Sequence, residues 1–286
     1  MAADLQPAVE KTLAYSRHFG LPLSPRKLHL WLISPRPVSP SRLRPHLPKL
    51  TVPNRQLIEK RFHYSQKKLL TARRVARLLG LFPTIKLICA TGSLAVDNAK
   101  QYDDLDIMVV TSADTLWLTR PLVIFFLKAL GLRRPTSLPE HQSPRVSDKV
   151  CDNLWLDAAA LALPKNKRNL YTAHEVLQAK PLFDRGNTHA KFLSANPWTK
   201  NYLANAYVAV QSGAGQDKKS PARTPRYSRG ELRTIFAWPN RLTTALNTLA
   251  FKLQYHYMKR KITRETITLH AAYFHPNDYA LMKIDG

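Results

Sequence analysis

The longest regular pattern in the chain is helical. Across residues 54–79, Ile58, Phe62, Leu69, Ala76 and Leu79 fall on one apolar stripe, and Arg55, Lys60, Arg61, Lys67, Lys68, Arg73, Arg74 and Arg77 crowd the remaining positions. Such a stripe predicts one amphipathic helix with its apolar side inward. The period then shortens. Residues 85–90 form a brief apolar run behind the breaker Pro83, which predicts a buried strand. Residues 104–110 hold β-branched Ile107, Val109 and Val110 and predict a second strand. Residues 113–131 read as a helix, residues 150–156 as a third strand, and residues 158–163 as a short further strand.

The flanks read as helical. Residues 7–18 repeat Val9, Leu13 and Tyr15, and Leu23-Ser24-Pro25 supplies an N-cap and a first-turn proline for a second helix to about residue 33. A helix–short turn–helix layout predicts a winged-helix-like module over residues 1–50, joined by a basic connecting helix within residues 51–80. Beyond residue 165, Thr172 is expected to cap a helix with His174 and Glu175 in its first turn, and Asn196-Pro197-Trp198 to start another. Residues 239–261 carry Leu242, Leu246, Leu249, Leu253 and Met258 as a stripe facing a core, and residues 266–274 read as a last helix. Residues 211–230, rich in Gly, Ser, Pro and basic residues, read as a flexible basic loop. The expected fold class is α/β (α+β), with a small mixed sheet in residues 81–165 and a helical region over residues 166–286.

Composition adds a partner. Lys and Arg number 44 against 19 Asp and Glu, so the net charge is 44 − 19 = +25 over 286 residues. An excess of that size points to a polyanion, most directly nucleic acid, through steering and counterion release. It argues against a small neutral substrate of the antibiotic-modifying kind. The most apolar stretch, residues 122–132, is interrupted by Lys128 and Gly131 and is too short to span a bilayer. The opening residues lack a basic segment followed by a long apolar run, so no secretory signal is expected. Cys89 and Cys151, the two cysteines, fall in predicted strands and read as free thiols of a cytoplasmic protein.

Candidate chemistry gathers between residues 91 and 106. Thr91-Gly92-Ser93 follows the first strand, and Asp104 and Asp106 follow after a ten-residue spacer. Gly92 lets the backbone turn and a ligand approach closely. Ser93 is placed to cap a short helix over residues 94–99, whose free N–H groups suit an anion. Strand alternation puts Asp104 and Asp106 on one face and Leu105 and Ile107 on the other. Two neighbouring carboxylates repel unless solvated or holding a cation, and Mg²⁺ takes one or two carboxylates together with substrate phosphates. Gly92 and Ser93 are therefore the candidate nucleotide-binding residues, and Asp104 and Asp106 the candidate Mg²⁺ ligands.

This arrangement resembles the signature of the polymerase-β-type nucleotidyltransferase superfamily. Further segments resemble one bacterial family of stand-alone nucleotidyltransferase-domain proteins: Trp117 and Arg120, the run from Tyr171 to Glu175, Phe192-Leu193 with Asn196-Pro197-Trp198, and Phe274-His275-Pro276. The resemblance implies a nucleotidyltransferase domain over residues 81–165. It implies Mg²⁺-dependent transfer of a nucleoside monophosphate from an NTP to a nucleic-acid or protein acceptor. It also implies a third catalytic carboxylate on a later strand, for which Asp152 and Asp157 are the candidates and Asp152, mid-strand, the preferred one. Two positions depart from the pattern: Val96-Asp97 stands where many members have an Arg, and Asp103 where they have a Ser. A chain that keeps the fold and binds nucleic acid without catalysis is the alternative.

Overall fold

A computed structural model describes residues 4–47, 55–135, 144–212, 240–260, 262–263 and 265–274. Three short helices open the chain: α1 (Gln6–His18), α2 (Pro25–Leu30) and α3 (Pro40–Leu43). Ser24 caps α2 by accepting the Lys27 N–H, with Pro25 in the first turn as expected. Leu5, Val9, Leu28, Leu32, Val38 and Leu43 give this segment a small core of its own. No β-hairpin follows the helices among the described residues, so the winged-helix likeness extends to the helices only.

The central part runs α4 (Arg55–Leu79), β1 (Ile85–Ala90), α5 (Gly92–Ala95), β2 (Leu105–Thr111), α6 (Leu116–Ala129) and β3 (Val150–Asp157). It continues through α7 (Leu170–Gln178), β4 (Lys180–Asp184), α8 (Thr188–Ser194), α9 (Ala204–Gln211), α10 (Asn240–Met258), β5 (Thr266–Ile267) and β6 (Ala271–Tyr273). The strands make one mixed sheet in the order β4-β1-β2-β3-β6-β5. Among the described strands, β2 and β3 alone pair in parallel, joined by the crossover helix α6.

Alternation on β1 and β2 sends side chains to two cores. Ile88, Ala90, Ile107 and Val109 meet α4 and α6 through Leu69, Leu79, Trp117 and Leu127, with Phe251 and Met258 of α10 packed against them. Leu87, Cys89, Met108 and Val110 meet α7, α8 and α9 through Val176, Leu177, Phe192 and Ala206. Arg185, just after β4, donates to the carbonyls of Gly80, Pro83 and Ile85, so one guanidinium fixes the end of α4 to the start of β1.

Several expectations are corrected. The stretch beyond residue 165 is not simply helical, because it contributes β4, β5 and β6 to the sheet. Residues 266–274 form the β5–β6 hairpin instead of a helix. Thr266, Ile267 and Thr268 are β-branched, and β6 completes the open edge of β3, pairing Ala272 with Trp155. Residues 158–163 form turns and no strand. Asn169, not Thr172, caps α7; Thr172 closes the capping box, which moves His174 and Glu175 into the second turn. In α4 the buried line runs through Ser65, Lys68, Leu69, Ala72, Val75, Ala76 and Leu79, and Phe62 is exposed.

The stripe on α10 faces the core only in part: Leu242, Leu249 and Leu253 are exposed, Leu246 is half-buried and Met258 packs inward. The inward side is partly polar, because Asn247 and Gln254 satisfy backbone groups of α6. Asn247 Oδ1 accepts the Trp117 N–H at 2.8 Å, and Gln254 Nε2 donates to the Trp117 carbonyl at 2.7 Å. The basic loop expected over residues 211–230 lies, beyond Ser212, outside the described residues. Among the described residues, no helix is long and apolar enough to cross a membrane.

The α10 geometry predicts an order of effects in urea unfolding. Leu253→Ala is expected to change stability by less than about 0.5 kcal/mol, as for exposed positions. Asn247→Ala strands the buried Trp117 N–H and is expected to cost about 1–3 kcal/mol. The opposite ranking would mean that the leucine stripe faces the core.

Candidate functional site

The end of β1 and the start of β2 meet at one corner. Thr91 N–H donates to the Asp106 carbonyl at 3.1 Å, which brings the Gly92 turn against the Asp106 side chain. Gly92 has φ +58°, and a Cβ built there would lie 2.9 Å from Asp106 Oδ2. Both facts require glycine: the backbone is left-handed, and the carboxylate fills the space a side chain would take. The other Asp106 oxygen accepts from Asn153 Nδ2 at 2.9 Å.

Asp104 lies on the same face as Asp106, as alternation predicts, and ligand atoms of Asp104, Asp106 and Cys151 all lie within 4.8 Å of one another. Asp104 pairs with Arg134 at 3.2 Å, and the same guanidinium reaches Cys151 Sγ at 3.5 Å. Burial, then Asp106 and Asp104, push the Cys151 thiol far above its ordinary range, so it remains protonated. A protonated thiol is a poor ligand for a hard cation. A metal ion held at this corner would bind through the two carboxylates and not through the sulfur.

Ser93 points its hydroxyl at Asp103 Oδ2, 3.0 Å away, and the Lys100 N–H donates to that same oxygen at 2.8 Å. Asp103 is thus a buried organiser of the loop that carries Ser93. Asp97, where an Arg was expected, has φ +58° and pairs with Lys180 of β4 at 3.1 Å.

The structure does not bring Asp152 or Asp157 to this corner. Between Asp106 and Met108 the β2–β3 pairing slips, so that Cys151 to Leu154 on β3 spans Asp106 to Met108 on β2. Alternation from Cys151 holds through Asn153, and the extra residue reverses it beyond that point. Asn153 faces Asp106. Asp152 turns to the α6 side, where it pairs with Arg133 at 2.9 Å and accepts from Trp155 Nε1 at 3.2 Å. The expectation that Asp152 supplies the third carboxylate therefore fails at this corner.

Asp157 belongs to a second cluster, with Asp114 and His270, whose ligand atoms also lie within 4.8 Å. Asp157 Oδ2 accepts the Asp114 N–H at 2.9 Å and lies 3.0 Å from His270 Nδ1, while Oδ1 accepts the Ala159 N–H. This carboxylate ties β3, the entry to α6 and the β5–β6 hairpin together.

A cleft of about 450 Å³ opens beside the first corner. Gly92, Ser93, Asp103 and Asp106 form one wall. Arg61 of α4, Tyr15 and Arg17 of α1, and Tyr171, Glu175 and Gln178 of α7 form the others. The three α7 residues recur at steps of four and three and so share a helix face, the sequence signal that could have placed them here. Glu175 accepts the Gly92 N–H, yet desolvation outweighs that bond and pushes its carboxyl up to about 7 from 4.5. His174 faces away. It stacks on Tyr15 with centroids 4.2 Å apart, and burial lowers it to about 3, so it packs as a neutral ring.

The other family-like residues hold the fold. Arg120 sits 4.4 Å over the Phe274 ring and 5.9 Å from that of Trp117. Asn196 accepts from Trp198 Nε1 and the Leu163 N–H, and donates to the carbonyls of Leu161 and Phe192.

Glu175 predicts a pH effect. A carboxyl raised in the folded state binds a proton there that the unfolded chain has already lost. Its contribution is favourable below pH 4.5 and declines as pH rises to about 7. Glu175→Gln is expected to flatten the fall in stability across that window, measured by urea melts at several pH values. A second test concerns Gly92, where alanine should lower the melting temperature and shift stability by more than about 1 kcal/mol; an unchanged melt would mean that the close contact with Asp106 is absent. No family model, curated protein or solved structure matches the chain, so the residues of this corner carry what can be concluded about its function.

Proposed function

We propose that the chain is a Mg²⁺-dependent nucleotidyltransferase. The observation that carries this reading is the abutment of the Gly92 backbone on the Asp106 carboxylate at the wall of the cleft, with Asp104 on the same strand face. A turn, an anion-sized opening and a carboxylate pair are what a triphosphate with its counter-ion needs. Asp104 and Asp106 would hold Mg²⁺, which when bound neutralises charge on the triphosphate and on the departing pyrophosphate.

The remaining work falls to the chain's own groups. Gly92 and Ser93 offer backbone and hydroxyl contacts to the phosphates, and Arg17, Arg61 and Lys100 around the cleft balance their charge. Glu175, with a carboxyl near neutrality, is suited to take the proton from an acceptor hydroxyl. That oxygen forms a bond to the α-phosphorus as the α–β phosphoanhydride bond breaks, releasing pyrophosphate.

Two observations favour a second reading, a nucleotidyltransferase-like chain that binds without transfer. Arg134 already pairs with Asp104, and Cys151 and Asn153 stand where a third carboxylate would complete the set. Transfer of label from each of the four α-labelled nucleotides to RNA, DNA or protein separates the two. Label is expected in one acceptor class with Mg²⁺ present. Asp106→Asn should abolish it, leaving the thermal melt nearly unchanged. Full transfer by that variant would remove the proposal, and a wild-type chain that binds nucleotide but labels nothing would favour the second reading.

A further inference from the structure

The basic residues of α4 divide into two sets. Arg61 and Lys68 are used by the fold. Arg61 Nη1 donates to the Gly20 carbonyl at 2.8 Å and to Asn98 Oδ1 at 2.6 Å. Lys68, almost fully buried, donates to the Asp103 carbonyl at 2.6 Å and pairs with Asp148 at 3.1 Å. The second set faces outward. Lys60, His63, Lys67, Leu70, Arg74 and Arg77 follow steps of three and four, and all are exposed. They form one ridge directly opposite the buried line through Ser65, Leu69, Ala72 and Ala76.

Within the described residues, Lys60, Lys67, Arg74 and Arg77 make no hydrogen bond or ion pair. The helix's one acid, Glu59, is held by Arg55 at 2.9 Å. Like charges stacked along a helix face destabilise it, so this ridge carries a cost that folding does not require. An outward polyanion removes that cost.

The shape of the ridge narrows the polyanion. From Lys60 to Arg77 the helix rises about 25 Å, the span of roughly seven base pairs of duplex. Single strands are usually held in grooves floored by aromatic rings. This ridge is convex and bears no Phe, Tyr or Trp, and it has no Asn or Gln to read base edges.

We propose that the outward ridge of α4 docks along the sugar–phosphate backbone of a nucleic-acid duplex without reading its sequence. The chemistry of the cleft is separate: the ridge binds duplex whether or not the Asp106 corner transfers a nucleotide. Binding of the full chain to labelled duplex RNA, duplex DNA and single strands of the same sequence, across a salt series, tests it. Both duplexes are expected to bind more tightly than the single strands. Substituting Lys60, Lys67, Arg74 and Arg77 together by Gln should weaken duplex binding by about tenfold or more and lower the slope of log affinity against log salt by roughly 3–4.

The four positions are exposed, so the variant should keep the wild-type circular dichroism melt; single Gln substitutions giving partial losses cover the case in which it does not. Unchanged duplex affinity in a folded variant, tighter binding of single strands, or no duplex binding by the wild type at low salt would each overturn the proposal. A chain that binds duplex through these residues yet transfers no label would leave it standing while removing the transferase reading.

Discussion

β2 and β3 run in parallel, and the register that sets Cys151 opposite Asp106 decides which side chains meet at the corner. A register shifted by one residue would exchange the faces of Asp152 and Asn153, and the observed register sets them as they are. With it, Asn153 donates to Asp106, Cys151 stands beside both carboxylates, and Asp152 is buried against Arg133 on the opposite side. The local arrangement of hydrogen-bond donors, sulfur and carboxylates follows from this one register.

The corner is acidic inside a strongly basic molecule. Arg134 compensates Asp104 directly, and Arg61, Arg17 and Lys100 line the cleft next to Asp106. Glu175 sits deeper, against the Gly92 amide, where desolvation sets its protonation more than any neighbouring charge. An incoming anion would meet a cationic rim first and the carboxylates behind it.

Much of the central fold was legible in the sequence. β1 and β2 are short, apolar and bounded by Pro83 and Gly92, and α4 is long enough for its period to dominate. Asp104 and Asp106 could be paired because Asp104 directly precedes β2 and period two carries on into it. What stayed hidden depends on contacts far apart in sequence. β4, β5 and β6 have two to five residues each and become strands only by finding β1 and β3. α10 shows a clear leucine stripe, but which side faces inward is decided by polar bonds to the Trp117 backbone, which hydrophobicity does not report. Asp152 was preferred for its mid-strand position, and position along a strand does not say which of its faces meets the corner. Glu175 was missed because its role comes from α7 crossing the Gly92 turn.

The sheet order has a consequence for how the molecule assembles. β1, β2 and β3 are consecutive in the chain and adjacent in the sheet, so they can pair early from nearby segments. β6 must close a loop of more than a hundred residues to reach β3, and α1 must return across most of the chain to lie beside α7. The acidic corner is thus built from local sequence, and the walls around it from distant sequence. Sequence separation alone therefore makes enclosing the cleft entropically costlier than forming the carboxylate pair it encloses.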